Sequence, residues 1–168
     1  MAKIELKNVA HSYSPDVENP EYALKKCNLS WKDGGRYAVL GPSGCGKTTM
    51  LNIMSGLVTP SEGTIKFDGI DITNMSTAER NIAQVFQFPV IYNTMTVAQN
   101  LGFPLLCRNY PKEVITKKVD QVAQTLGLEN LLNLRATKLT ADQKQLISLG
   151  RGLVREDVAA ILMGEPLT

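Results

Sequence analysis

The chain has 168 residues, of which 43% are hydrophobic and 20% charged, and its formal net charge is +2. This composition predicts one globular domain with a buried core and excludes a disordered, charge-rich chain. The balanced charge argues against nucleic-acid binding, and no apolar run suggests a membrane span or a secretory leader. Three scattered cysteines, Cys27, Cys45 and Cys107, fit a reducing compartment better than a disulfide framework.

The first third of the sequence predicts strands and one helix. Two apolar stretches, residues 4–9 and 22–29, predict the first two strands. Residues 36–40 form an almost unbroken apolar run ahead of glycines, which predicts a buried parallel strand. A helix is predicted over residues 47–55, because its apolar residues recur at helical spacing.

The rest of the sequence predicts an alternation of strands and helices. The predicted strands are residues 64–67, 70–72, 82–86 and 159–163, with a hairpin turn at Asp68–Gly69. The predicted helices are residues 97–106, 111–127 and 141–154, with a short helical or turn segment over residues 128–134. This order predicts an α/β architecture with a helical insertion.

The most informative motif is a phosphate-binding loop. It reads Gly41-Pro42-Ser43-Gly44-Cys45-Gly46-Lys47-Thr48, followed by Thr49. The run matches G-x-x-x-x-G-K-[ST], in which glycines let backbone N–H groups turn toward phosphate oxygens. Lys47 is expected to contact the β- and γ-phosphates and Thr48 to ligate Mg²⁺, while the helix N-terminus contributes its dipole. The motif therefore predicts nucleotide binding at residues 41–49.

Several motifs together resemble those of the ATP-binding subunits of ABC transporters, especially sugar, glycerol and glycerol-phosphate importers. Residues 41–51 are similar to the family's Walker A, and residues 55–63 resemble the segment after it. Val85-Phe86-Gln87 resembles the Q-loop, and the likeness covers essentially the whole chain. The resemblance implies a P-loop NTPase fold, with a mixed or parallel sheet, an N-terminal antiparallel β part and a helical insertion.

The resemblance also implies a division of the chain. Residues 1–87 are expected to form a catalytic core with Walker A and the Q-loop, and residues 88–140 a helical subdomain. Residues 141–168 are expected to hold the signature helix and the Walker B strand. Because the family's later motifs follow Walker B, the chain is expected to be an incomplete, truncated ABC ATPase domain with an uncovered sheet edge.

Further site residues are implied by position. Tyr13 is expected to stack on adenine, with an ordinary strand-to-loop contact as the alternative. Gln87 is expected to contact Mg²⁺ and the attacking water, with a plain surface glutamine as the alternative. Glu165 matches the residue that polarises the hydrolytic water. His11 is interpreted as a surface residue.

The signature loop departs from the family pattern. Leu139-Thr140-Ala141-Asp142-Gln143 stands where the family has Leu-Ser-Gly-Gly-Gln. Thr140 and Gln143 are still expected to contact nucleotide, but Asp142 would bring a carboxylate near a γ-phosphate. Two interpretations stay open: a degenerate site in an asymmetric dimer, or a different loop path with Asp142 as a helix N-cap.

The Walker B strand departs as well. Gly164 stands where the family has an aspartate that organises magnesium, immediately before Glu165. Magnesium would then be held only by Thr48, Gln87, phosphate oxygens and water, and Mg²⁺ demands near-octahedral geometry. We therefore predict slow or absent hydrolysis by this chain alone.

These features predict an ATP-binding, ATP-hydrolysing subunit that powers import of a sugar, glycerol or glycerol-phosphate solute. The implied cofactors are ATP and Mg²⁺, and the implied partners are transmembrane permease subunits and a second ABC ATPase subunit, identical or related. The expected location is cytoplasmic, at the inner face of the cell membrane. The alternative is a degenerate module that binds ATP without efficient turnover. An ATPase acting on DNA or ribosomes is disfavoured by the charge balance and the importer-like residues 88–106.

Overall fold

The computed structural model describes residues 1–14 and 18–164. Within these ranges the strands are β1 (Ile4–Ser12), β2 (Tyr22–Trp31), β3 (Glu62–Phe67), β4 (Ile70–Asp71), β5 (Ile82–Val85) and β6 (Ala160–Met163). The helices are α1 (Lys47–Ser55), α2 (Val97–Leu106), α3 (Lys112–Leu126) and α4 (Ala141–Leu153), with 3₁₀ turns at Glu129–Leu131 and Ala136–Lys138. The chain divides into two compact units, one of Met1–Ile82 with Asp157–Leu162, the other of Ala83–Glu156 with the stretch from Met163.

The first unit contains an antiparallel sheet with strand order β2-β1-β3-β4. Leu6 of β1 lies opposite Leu29 of β2 on one side and Ile65 of β3 on the other. The predicted turn at Asp68–Gly69 is confirmed: both residues have positive φ, 49° and 81°, as a two-residue hairpin turn of type I′ requires.

The core of the first unit lies between this sheet and α1. Met50, Ile53 and Met54 of α1 recur at helical spacing and are buried in one apolar cluster with Leu6 and Ile65. Each fully buried side chain of this kind contributes about 1.5–3 kcal/mol to the free energy of unfolding. The helix predicted over residues 47–55 is confirmed at both ends.

An exposed polar cluster joins β2 to β3. The Tyr22 hydroxyl donates to Glu62, and the Lys26 Nζ lies 2.7 Å from a Glu62 carboxylate oxygen. These two partners, Lys26 first, hold the pKa of Glu62 below its ordinary value of 4.5. The cluster links β2 to β3, the two strands that flank β1.

The prediction of a buried strand over residues 36–40 is wrong. These residues have no regular secondary structure, and Leu40 is 90% exposed. No strand in the described ranges pairs with them. A parallel strand is buried only when neighbouring strands satisfy its backbone and helices cover its faces, so the apolar run alone was insufficient.

The second unit is mainly helical. Helices α2, α3 and α4 share an apolar core that includes Val97, Leu101, Val119 and Ile147. The predicted helices over residues 97–106, 111–127 and 141–154 are confirmed within a residue or two at each end.

A buried asparagine fixes the entry to α2. Asn100 is fully buried, and its Oδ1 accepts from the Tyr92 N–H at 2.8 Å. Its Nδ2 donates to the carbonyl oxygens of Tyr92 and Thr96, each at 3.0 Å. Thr96 also caps α2 in a reciprocal pair with Gln99, so the Thr96 hydroxyl pairs with an N–H of the first turn while the Asn100 amide pairs with the Tyr92 backbone ahead of the helix.

The strands β5 and β6 form a second, two-stranded sheet, which confirms the apolar runs at residues 82–86 and 159–163 as strands. The Gly164 N–H donates to the Val85 carbonyl oxygen at 2.9 Å. Across residues 1–14 and 18–164, no helix combines the length and apolar character required to cross a bilayer.

Candidate functional site

The glycine-rich loop leads directly into α1. Gly46 is the N-cap of the helix and has a φ of 92°, in the left-handed region that favours glycine. A Cβ at this position would lie 2.5 Å from the Ala23 carbonyl oxygen of β2. Glycine is therefore required at residue 46 for both its backbone angle and its close approach to β2.

The N-terminus of α1 is suited to an anion. Its first intrahelical bond runs from the Met50 N–H to the Gly46 carbonyl oxygen at 2.8 Å. Among the described residues, no side chain caps this end and no acidic residue lies in its first turn. The first N–H groups and the positive end of the helix dipole thus remain available to a negatively charged ligand.

The Lys47 ammonium lies against the loop itself. Its Nζ donates to the carbonyl oxygens of Gly41 at 2.8 Å and Pro42 at 2.9 Å, and lies 3.9 Å from the Cys45 Sγ. Ser43, Gly44 and the other residues of 41–45 are exposed. A phosphate could therefore reach this ammonium and replace neutral carbonyl acceptors with charged oxygens, which form stronger hydrogen bonds.

The two threonines that follow differ in exposure. Thr48 is exposed, whereas Thr49 is buried. The exposed Thr48 hydroxyl fits Mg²⁺, because magnesium is usually held by one or two protein oxygens together with substrate phosphates and water. No group of three or more histidine, cysteine or acidic side chains in the described ranges forms a separate metal site.

Tyr13 lies one residue beyond β1, in the same unit as the glycine-rich loop, and its side chain is 60% exposed.

The interpretation of His11 as a surface residue is wrong, because only 8% of it is exposed. The strand β1 continues to Ser12, past the predicted end near Val9, and therefore carries His11 into the sheet opposite Leu24. Residues 10–12 carry no formal charge, which is compatible with a continuing strand, but these residue types alone do not show that His11 faces inward.

The signature region begins α4 with a reciprocal cap. The Thr140 Oγ1 accepts from the Gln143 N–H at 3.3 Å, and the Gln143 Oε1 accepts from the Thr140 N–H at 3.0 Å. The alternative in which Asp142 caps the helix is wrong, since Thr140 occupies that position. Asp142 lies in the first turn, where its negative charge interacts favourably with the helix dipole.

The remaining site residues fall in different parts of the chain. Gln87 is exposed, two residues past the end of β5. Gln87, Thr140 and Gln143 belong to the second unit, whereas residues 41–49 and Tyr13 belong to the first. Glu165 lies outside the described residues. The structure thus brings residues 41–49 together in one continuous loop and helix start.

Curated relatives match the whole of this chain. It is 39% identical over 168 residues to the sn-glycerol-3-phosphate import ATP-binding protein UgpC of Brucella abortus and covers 46% of that protein. It is 40% identical to the trehalose import ATP-binding protein SugC of Mycobacterium tuberculosis and covers 42% of it. The chain therefore spans about half the length of these relatives.

Solved structures share the fold. A dimeric ATP-binding cassette in a post-hydrolysis state, bound to ADP and Pi, superposes with a TM-score of 0.79 at 26% identity. The match covers 96% of this chain and 87% of that one. A nucleotide-free ATP-binding cassette from an ABC transporter gives the same TM-score and identity, covering 100% of this chain and 70% of that one. These superpositions confirm the P-loop NTPase fold, and because residues 24–168 match the ABC transporter family profile, this chain belongs to that family.

Proposed function

We propose that the chain binds ATP at residues 41–49 and acts as the ATP-binding subunit of a solute importer. The observation that carries the proposal is the Lys47 ammonium, held at an uncapped helix N-terminus inside a glycine-rich loop. A cation, free backbone donors and a helix dipole converge there, which is the chemistry a polyphosphate needs.

Each loop residue has a proposed role in binding. The N–H groups of residues 43–48 surround the phosphate oxygens, and Lys47 leaves the Gly41 and Pro42 carbonyl oxygens to contact the β- and γ-phosphates. The Thr48 hydroxyl and the Gln87 amide oxygen would hold Mg²⁺. When bound, Mg²⁺ neutralises phosphate charge and supports phosphoryl transfer to water.

Residues outside the loop complete the proposed site. The exposed ring of Tyr13 stacks on adenine. In its cap the Thr140 hydroxyl accepts from the Gln143 N–H, so its own proton can be donated to a γ-phosphate oxygen held by a second ATPase subunit. Gln87 and Glu165 position and polarise the attacking water.

The proposed partners are permease subunits in the membrane and a second ATPase subunit, with this chain on the cytoplasmic face. The names of the relatives support an import role with glycerol-phosphate or a sugar as the solute. The dimeric state of a similar cassette supports a pair of ATPase subunits. Co-purification with membrane subunits tests this part, and a chain that associates with none of them would contradict it.

A second candidate function is ATP binding without efficient turnover. Gly164 supports it, because a glycine at the end of β6 provides no carboxylate for magnesium. Asp142 supports it as well, since a carboxylate in the first turn of α4 would repel an approaching γ-phosphate. Both features lower turnover without removing the loop that binds phosphate.

The test compares binding with turnover in the same preparation. We expect MgATP binding by calorimetric titration, together with slow phosphate release that Lys47→Ala abolishes. Gly164→Asp is expected to raise turnover, because it restores a carboxylate for magnesium. Robust turnover by the unmodified chain, lost in Lys47→Ala, would contradict the second candidate. A chain that binds no ATP would contradict both.

A further inference from the structure

We propose that His11 is a positioning residue that holds the Tyr13 ring in the orientation needed to stack on a nucleotide base. The proposal rests on the proposed function, because it takes Tyr13 as the base-stacking residue. His11 and Tyr13 lie with ring centroids 4.5 Å apart and an interplanar angle of 85°, an edge-to-face contact. Such contacts have a preferred geometry, so a fixed His11 ring restricts the neighbouring Tyr13 ring.

His11 itself is firmly held. It is 92% buried, and its Nδ1 lies 3.2 Å from the Ser61 Oγ, immediately before β3. The same Ser61 hydroxyl accepts from the Ser12 N–H at 3.1 Å, so one side chain anchors both the imidazole and the strand next to it. The His11 Nε2 is buried and has no hydrogen-bond partner among residues 1–14 and 18–164. The Ser61 contact and the surrounding packing therefore hold the His11 ring in place.

The backbone on both sides of Tyr13 is also restrained. The Ser12 Oγ donates to the Glu21 carbonyl oxygen at 2.7 Å and accepts from the Ser14 N–H at 3.1 Å. Tyr13 therefore sits between two anchored residues, with His11 against its ring, while 60% of the tyrosine remains exposed. A large aromatic ring held in place but open to solvent suits a flat ligand such as a nucleobase.

The inference predicts an effect confined to the base. Phosphate binding depends on the loop at residues 41–49, whereas the ring orientation affects only adenine. Weakening the His11 contact should therefore lower the affinity for ATP and leave the affinity for inorganic tripolyphosphate unchanged. A merely structural role would change both affinities or neither.

Two variants separate the ring from the hydrogen bond. His11→Asn keeps a polar group near the Ser61 hydroxyl but removes the ring, whereas His11→Phe keeps a ring and removes the hydrogen bond. Affinities for ATP and for tripolyphosphate are measured by calorimetric titration. We expect His11→Asn to weaken ATP binding about three- to tenfold with tripolyphosphate unchanged, and His11→Phe to stay within about twofold.

Tyr13→Ala distinguishes this inference from the proposed function. If Tyr13→Ala lowers ATP affinity relative to tripolyphosphate and neither His11 variant does, the positioning role is overturned while the stacking role stands. If His11→Asn weakens both ligands equally, His11 is structural and the inference is also overturned. If Tyr13→Ala leaves the ratio unchanged, the stacking role fails and the inference fails with it.

Discussion

Replacing Arg80 with methionine should destabilise the first unit strongly. Arg80 is only 3% exposed, and its guanidinium donates to four backbone carbonyl oxygens. Two acceptors, Ile53 at 2.6 Å and Met54 at 3.1 Å, lie in the last turn of α1. The others are Met75 at 3.0 Å and Thr73 at 2.9 Å. One side chain therefore joins the end of the helix to the segment that follows β4.

The magnitude follows from what the substitution leaves behind. Arg80→Met removes the Arg80 donor from the Met54 carbonyl oxygen and leaves the Ile53 carbonyl oxygen to the longer bond from the Gly56 N–H at 3.2 Å, and a buried acceptor that loses its partner costs about 1–3 kcal/mol. Burial lowers the pKa of Arg80, which marks a desolvation cost that the substitution relieves. The net loss should be about 2–4 kcal/mol, which corresponds to a fall in Tm of about 5–15 °C for a chain of this size.

Thermal unfolding followed by circular dichroism measures this loss. Arg36→Met is the matched control, since Arg36 is exposed and the same substitution there should change Tm little. Arg80→Lys should lose an intermediate amount, because one ammonium cannot reproduce the planar fork of a guanidinium. A Tm for Arg80→Met equal to that of Arg36→Met would refute the assignment of Arg80 as a helix-end anchor.

Three further substitutions have defined expectations. Gly63→Ala should lower the free energy of unfolding by about 2 kcal/mol or more, because its Cβ would overlap a β1 carbonyl oxygen. Gly69→Ala should lower it by about 1 kcal/mol, because only the φ angle is unfavourable there. Denaturant titration compares the two variants. Asn100→Leu should cost about 1–3 kcal/mol by the same assay, since it removes the acceptor of the Tyr92 N–H inside a fully buried site. A loss no greater than that of Asn133→Leu, at an exposed asparagine, would contradict this. The folded-state pKa of Glu62 is lowered, so its charge stabilises the fold above the unfolded-state pKa and that contribution disappears as pH falls through the folded-state value. Between about pH 6 and about pH 3, the Tm of Glu62→Gln should therefore fall less than the Tm of the unmodified chain. An equal fall in Tm for both chains would contradict the stabilising role of the Glu62 charge.

Local signals predicted the regular elements well. The bounds of α1 and α2 agree with their apolar periods, because those periods coincide with the faces buried in each unit. The turn at Asp68–Gly69 was also readable, since only a few residue types accept two positive φ angles in succession. Asp142 is not the N-cap of α4, and the T-x-x-Q pattern of Thr140 and Gln143 is the local signal that identifies the correct position.

Features that depend on distant partners were not predictable in the same way. The run at residues 36–40 is apolar, but pairing requires a neighbouring strand that the run itself does not specify. His11 was missed because β1 has register shifts after Leu6, and a shift changes which residues face inward. In the candidate site, the sequence motif predicted the phosphate-binding loop. It did not predict that the Lys47 ammonium donates to the Gly41 and Pro42 carbonyl oxygens, because the motif does not specify the side-chain conformation.

The most direct test of the central claim is the affinity of the chain for ATP with and without the Lys47 ammonium. Titration calorimetry with MgATP should show binding by the unmodified chain, and Lys47→Ala should weaken it about tenfold or more, because a charge-assisted phosphate contact contributes about 1.5–3 kcal/mol. The control is Lys32→Ala, at an exposed lysine of the same unit, and its affinity should be unchanged. Equal affinities for the Lys47 and Lys32 variants, or no binding by the unmodified chain, would contradict a nucleotide site at residues 41–49.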